Sequence, residues 1–184
     1  MKAATLESKF PILSVEHDCI ISKDADITVC YRVELPELFT VTQAEYEAIH
    51  SAWVKAVKVL PNYSIVHKQD FFIEESYTRS FERHFNERPY LKHTCYLFLT
   101  KTTKEHSRTT SSFNALTRGF IIPKEMQDKE AVSRFLECCE QFERIINDSG
   151  FITLTRLTGD EITGTESSAG IIEKYFSLSQ TDTT

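Results

Sequence analysis

The run Thr94-Cys-Tyr-Leu-Phe-Leu-Thr100 is apolar at five successive positions. Side chains of a strand alternate between two faces, so an unbroken apolar run must be covered on both. A chain built around such a strand needs a sheet with material packed above and below it. Its 184 residues suffice: a chain of this length buries about 70% of its unfolded surface and needs no disulfide or metal staple.

The segments around this run supply the layers. Residues 12–21 and 27–33 are rich in β-branched side chains and flank a short polar turn, which predicts a β-hairpin ended by Pro36. Thr42-Gln-Ala-Glu45 is a capping box. Tyr46, Ile49, Trp53, Val57 and Leu60 then recur at helical spacing until Pro61 stops the helix. A strand with one wet face follows over 63–73, then a short charged helix over 78–87. Residues 101–118 are rich in Thr and Ser and predict a long polar loop. Phe120-Ile-Ile122 reads as a short strand. Asp128 is placed to cap a long helix carrying Val132, Phe135, Leu136, Cys139, Phe142 and Ile146 on one face, closed by Asn147-Asp-Ser-Gly150. A strand over 151–157 and a helix over 168–176 complete the chain.

This order predicts an α+β fold: a largely antiparallel sheet with helices packed on it, a ferredoxin-like arrangement being one candidate. A division into two sub-lobes, about 1–90 and 91–184, is the alternative to a single unit.

Acidic residues outnumber basic ones, 27 to 21, for a net charge of −6. That argues against a dedicated nucleic-acid or anionic-membrane surface. The five cysteines form no C-x-x-C pair, which fits small buried side chains in a reducing compartment. Residues 1–9 lack the apolar core of a signal peptide. No apolar stretch reaches the ~20 residues that span a bilayer, so a soluble cytosolic chain without direct membrane insertion is expected.

The stretch Gly159-Asp-Glu-Ile-Thr-Gly164 has the glycine spacing of a phosphate-binding loop. A nucleotide loop continues with Lys and then Ser or Thr, but Thr165 and Glu166 stand there. Asp160 and Glu161 would also repel a polyphosphate. A polar connection feeding a helix is the better reading. The six histidines show no metal-ligand spacing, and no nucleophile elbow occurs. No catalytic residue, cofactor or metal is therefore expected. Between 79 and 88, Arg83 and Glu87 are four apart, as are Phe81 and Phe85, which describes a solvated amphipathic helix. The aromatics between 70 and 100 read as core rather than a stacking platform.

Four long runs carry a resemblance: TLESKFPILSVEHDCIISKDADITVCYRVELPELFTVTQAEYEAIHSAW, VLPNYSIVHKQDFFIEESY, SFERHFNERPYLKHTCYLFLTKTTKE and GTESSAGIIEKYFSLS. They resemble the N-terminal region of TraG-family ATPases of conjugative transposons, which are similar to the VirB-type ATPases of type IV secretion. The resemblance covers about residues 4–179. Tyr77 here runs almost directly into Arg79-Ser80, where such proteins carry a polar segment of variable length. The family's Walker motifs lie in a C-terminal RecA-like motor domain that nothing here matches, so ATP and magnesium belong to that part of the parent.

What the resemblance implies is a non-catalytic docking or assembly domain, N-terminal in a homo-oligomeric ATPase. It would be cytoplasmic, held at the inner membrane through other secretion components. Arg79, Arg83, Glu87 and Arg88 of the charged helix, with Lys101, Lys104 and Arg108 of the polar loop, are the side chains expected to meet partners. A module for the transferred single-stranded DNA is the alternative, though nucleic acid is disfavoured by the net charge. A stand-alone enzyme ranks third.

Overall fold

The computed structural model describes residues 10–36, 41–75, 90–102 and 129–177. Strands β1 (Ile12–Glu16), β2 (Cys19–Ser22) and β3 (Ile27–Glu34) form an antiparallel meander. Helix α1 (Gln43–Val59) leads to β4 (Ser64–Glu75) and β5 (Tyr90–Lys101). Helix α2 (Lys129–Asn147) and β6 (Thr153–Arg156) follow, then α3 (Gly159–Thr163), β7 (Gly164–Thr165), β8 (Ser168–Ala169) and α4 (Ile171–Ser177).

The main sheet runs β1-β2-β3-β5-β4, and β6 also pairs with β3, beyond the end of β2. Every pairing in it is antiparallel. Among the described elements, β3-α1-β4-β5-α2-β6 has the β-α-β-β-α-β order, and its strands lie β6-β3-β5-β4. That is the ferredoxin-like arrangement raised as a candidate from the sequence, extended by the β1–β2 hairpin. The sheet draws strands from both sides of position 90.

The expected two-stranded hairpin is three strands, because residues 12–21 break at His17-Asp18. Both residues adopt positive φ (51° and 59°), the backbone that lets a two-residue turn match strand twist. Asp visits this region more readily than most residues, and His is also enriched there.

Both faces of the sheet are covered. On one, Val29, Tyr31, Val33, Cys95, Leu97 and Leu99 pack under α1 and α2. The other carries Cys30, Phe71 and Tyr96 against Leu157, Ile162 and Ile171. The apolar run of β5 thus divides between two cores, as its composition requires. Helix α2 buries Phe135, Cys139, Phe142 and Ile146, the face predicted from spacing. It ends at Asn147, whose side-chain amide donates to the Leu154 carbonyl (3.1 Å) and whose oxygen accepts from Leu154 N–H (2.7 Å). The side chain thereby pairs with β6 as a strand backbone would.

Helix α1 begins as expected. The Thr42 hydroxyl accepts from Glu45 N–H, and the Glu45 carboxylate accepts from Thr42 N–H. Its buried stripe differs from the predicted one. Ala52 and Ala56 are buried, flanked by half-buried Ile49, Trp53 and Leu60, while Tyr46 and Val57 are 65% and 48% exposed. Two alanines let the helix approach the sheet closely, and the larger side chains splay to its margins.

Beyond β6 the glycines decide the geometry. Gly164 has φ +96°, and a Cβ on Gly170 would lie 2.3 Å from the Gly164 nitrogen. The two backbones touch, which closes the β7–β8 ribbon and aims α4 back at Ile162. Among the described residues no helix is long and apolar enough to cross a membrane.

Two substitutions test this packing. Phe142→Ala, which removes a fully buried ring in edge-to-face contact with Trp53 (5.8 Å), is expected to cost about 3–5 kcal/mol in urea unfolding. Gly170→Ala should cost about 1–3 kcal/mol through overpacking and loosen residues 159–177 selectively, read as faster amide exchange there than in α2.

Candidate functional site

Strands β4 and β5 pair in unbroken register over twelve residues each, from Ser64 opposite Lys101 to Glu75 opposite Tyr90. β3 reaches β5 only from Lys101 back to Cys95. The remaining residues of β5 pair with β4 alone among the described strands, as a projecting two-stranded ribbon.

Opposed residues share a face in an antiparallel pair. Asp70 opposes Cys95 and Phe72 opposes His93, on the side of the sheet that bears α1 and α2. There Asp70 Oδ1 lies 2.8 Å from His93 Nε2, and Asp70 Oδ2 accepts from Lys68 Nζ. The Phe72 ring stacks on His93 at 4.7 Å, nearly parallel. Around this polar group Val66, Phe72 and Leu91 are 38%, 63% and 69% exposed, and Ile65 on the opposite face is 48% exposed. The Lys68 ammonium, followed by His93, holds the Asp70 carboxyl down at about 2.

Cysteine, histidine and aspartate side by side resemble a nucleophile with its base and orienting group, but the electrostatics run the other way. A reactive cysteine needs a depressed pKa. Burial, with Asp70 beside it, pushes the Cys95 thiol up to about 11. At pH 7 about one such thiol in ten thousand is ionised. The Asp70 carboxylate is engaged through both oxygens. This arrangement is suited to fixing surface side chains in place, not to bond-making.

The stretch 159–170 forms the second candidate. Thr158 caps α3 through a second capping box with Glu161. Gly159 N–H donates to Asp18 Oδ1 at 2.6 Å, and Thr158 N–H donates to Glu161 Oε2 at 3.0 Å. Two of the donors that a phosphate would use are thus taken by carboxylates, and Glu161 N–H donates to the Thr158 hydroxyl at 3.4 Å. Thr158 N–H, and then Arg32, hold the Glu161 carboxyl below its ordinary range. Arg32 Nη2 donates to Glu161 Oε1 at 2.6 Å, and both residues line a cavity of about 200 Å³ with Tyr96, Asp160 and Lys174. Its walls carry both signs of charge, so they give no preference for an anion. Among the described residues no group of three or more His, Cys, Asp or Glu side chains is placed to hold a metal ion.

Of the side chains expected to meet partners, Arg79, Arg83, Glu87, Arg88, Lys104 and Arg108 lie outside the described residues. Lys101 is the last residue of β5 rather than part of a loop. Its Nζ donates to the Asn62 carbonyl (2.6 Å) and sits 5.8 Å from the centre of the Tyr63 ring. The sequence reading missed Lys68, Asp70, Phe72, Leu91 and His93. The wet face of β4 was visible, but only the register with β5 brings His93 to Asp70. Phe72, grouped with the core aromatics by composition, projects outward.

Residues 1–51 match a family described as a domain of unknown function, B. Theta Gene description (DUF3875). The match spans the β1–β3 meander and the first half of α1, and ends before β4. No curated protein matches the chain.

Asp70 supplies a pH test. A carboxyl depressed in the folded state contributes stability above its ordinary value of 3.8 and loses it as pH falls through about 2. The stability difference between the protein and Asp70→Asn is therefore expected to shrink between those values. The Asp70 carboxyl carbon should titrate near 2 by NMR and move toward 3.8 in Lys68→Met. An unshifted midpoint in Lys68→Met would show that the ammonium does not hold the carboxylate.

Proposed function

We propose that the chain is a docking and assembly domain of a conjugation ATPase of the TraG type, which resembles the VirB-type ATPases of type IV secretion. The long runs quoted above suggest the parent. The observation that carries the docking role is the β4–β5 ribbon: a long sheet edge, apolar side chains exposed on it, and charged groups beside them locked in hydrogen bonds. Such an edge offers a row of backbone donors and acceptors for strand addition, with flanking side chains to select the partner. In this reading ATP hydrolysis belongs to a C-terminal motor domain of the parent. The domain meets membrane-anchored channel components from the cytoplasmic side, peripheral to the inner membrane, and contributes to a homo-oligomer.

A second reading, a module for the transferred single strand, has one observation in its favour. The exposed Phe72 ring, stacked on His93 beside Lys68, could receive a base. Asp70 and Glu74 on the same face oppose a phosphate backbone.

The two readings separate in one experiment. A photo-crosslinking residue at Ile65 or Phe72 of the parent protein in donor cells is expected to capture a channel component or a neighbouring subunit. Cross-links to DNA alone would favour the second reading. Cross-links to neither, with transfer unaffected by Phe72→Asp, would remove the docking role from this edge.

A further inference from the structure

The two outer edges of the main sheet are built differently. β1 has five residues, follows Pro11, and its register with β2 shifts between Ile12 and Ser14. Short length, proline and irregular register are how natural sheets blunt an edge against pairing. β4 has none of these. It runs for twelve residues without proline, glycine or register shift, and no described strand lies along its outer side. Lysine on an edge is a further deterrent, but Lys68 is neutralised by Asp70 of the same strand.

We infer that the outer edge of β4 pairs antiparallel with β4 of a second copy, about a two-fold axis at Gln69. The inference rests on the reading of this edge as a contact surface. The sequence of the strand selects both the occupant and the register. A two-fold normal to the sheet keeps the helix-bearing face, with its exposed Val66 and Phe72, continuous across the junction. Centred on Lys68, it would set two lysines opposite each other; centred on Asp70, two aspartates. Like charges directly opposed are destabilising. Centred on His67 it would oppose Lys68 to Val66, and centred on Phe71 it would oppose Asp70 to Phe72.

Centred on Gln69, the oppositions are favourable. Lys68 of each copy faces Asp70 of the other, giving two charge pairs. Val66 faces Phe72 and Ile65 faces Ile73, so apolar side chains cover one another. The two Gln69 amides meet on the axis, where each can donate to the other. The result is one sheet continuous through both copies, with the helices of each on the same side.

The test uses the whole 184-residue chain. Light scattering after gel filtration, across a concentration series, is expected to give twice the 21.2 kDa of one chain. Lys68→Asp and Asp70→Lys should each run as single chains, because each opposes like charges. An equimolar mixture of the two should return the double mass, since the carboxylate introduced in one variant then meets the ammonium introduced in the other. Loss of the contact within one strand cannot be repaired by mixing, so this separates pairing between copies from a local role. Gln69→Cys should cross-link to itself on mild oxidation, within the Cα separations a disulfide spans, while Ile73→Cys and the unmodified protein do not.

A wild-type chain of single mass at every concentration overturns the inference, as does a mixture that stays monomeric. A dimer in which Gln69→Cys fails to cross-link overturns the register. If the chain is monomeric while Phe72 still captures a channel component in donor cells, the pairing falls and the docking reading stands. A charge-restored dimer in vitro, with cross-links to neither a channel component nor a neighbouring subunit in donor cells and transfer unaffected by Phe72→Asp, supports the pairing and overturns that reading.

Discussion

Strand β3 is held from every side, and the rest of the structure is arranged around it. It pairs with β5 along one edge and with β2 and then β6 along the other. Val29, Cys30 and Tyr31 are almost wholly buried in succession, so each face of the strand meets a different core. The Tyr31 hydroxyl, carried deep under α2, donates to the Cys139 carbonyl at 3.2 Å. A buried hydroxyl left unpaired costs about 1–3 kcal/mol, so this bond fixes the height of α2 over the sheet. Burial pushes the Cys30 and Cys139 thiols up to about 12, as expected of cysteines that act as small apolar side chains.

The N-terminal hairpin is fastened to the C-terminal elements through its turn. Gly159 N–H donates to Asp18 Oδ1, and Arg156 Nη2 donates to the His17 carbonyl at 3.2 Å. The left-handed backbone of His17 and Asp18 therefore both reverses the chain and presents an acceptor to each of two later segments. Arg156 also reaches the Cys19 sulfur at 3.4 Å. Burial raises Glu143 despite the nearby guanidinium. A cation in this position is anchored by carbonyl and sulfur acceptors, which ties the end of β6 to the start of β2.

How much of this the sequence disclosed depended on the range of the interaction. Local rules were legible: the Thr42–Glu45 box, the buried face of α2, and the two-sided burial of β5. They follow from the nearest few residues, where propensity and periodicity act. The box at Thr158–Glu161 obeys the same rule and could have been found, but the stretch was read as a polar connection feeding a later helix, whereas residues Gly159–Thr163 are themselves helical. The His17-Asp18 turn was hidden because it lacks the usual Asn-Gly signal. The ferredoxin-like order could only be raised as a candidate, since pairing between β3 and β5 joins residues about seventy apart. The polar group on β4 was the least accessible. Asp70 and His93 look unrelated until a register is known, and a shift of one residue would place them on opposite faces.

That register also decides what the edge can do. Exposed ion pairs contribute only about 0–1 kcal/mol each, so Lys68, Asp70 and His93 do little for the stability of the isolated domain. Covering Val66, Phe72 and Leu91 contributes more, at roughly 25 cal/mol per Å² of apolar surface removed from water. Apolar area favours contact in any alignment; charge discriminates among alignments by penalising the wrong ones. Affinity and selectivity are thus divided between two sets of side chains on one face. The apolar set gives the edge a reason to be covered. The charged set restricts which strand can cover it, and that restriction lets a long unblunted edge persist without indiscriminate association.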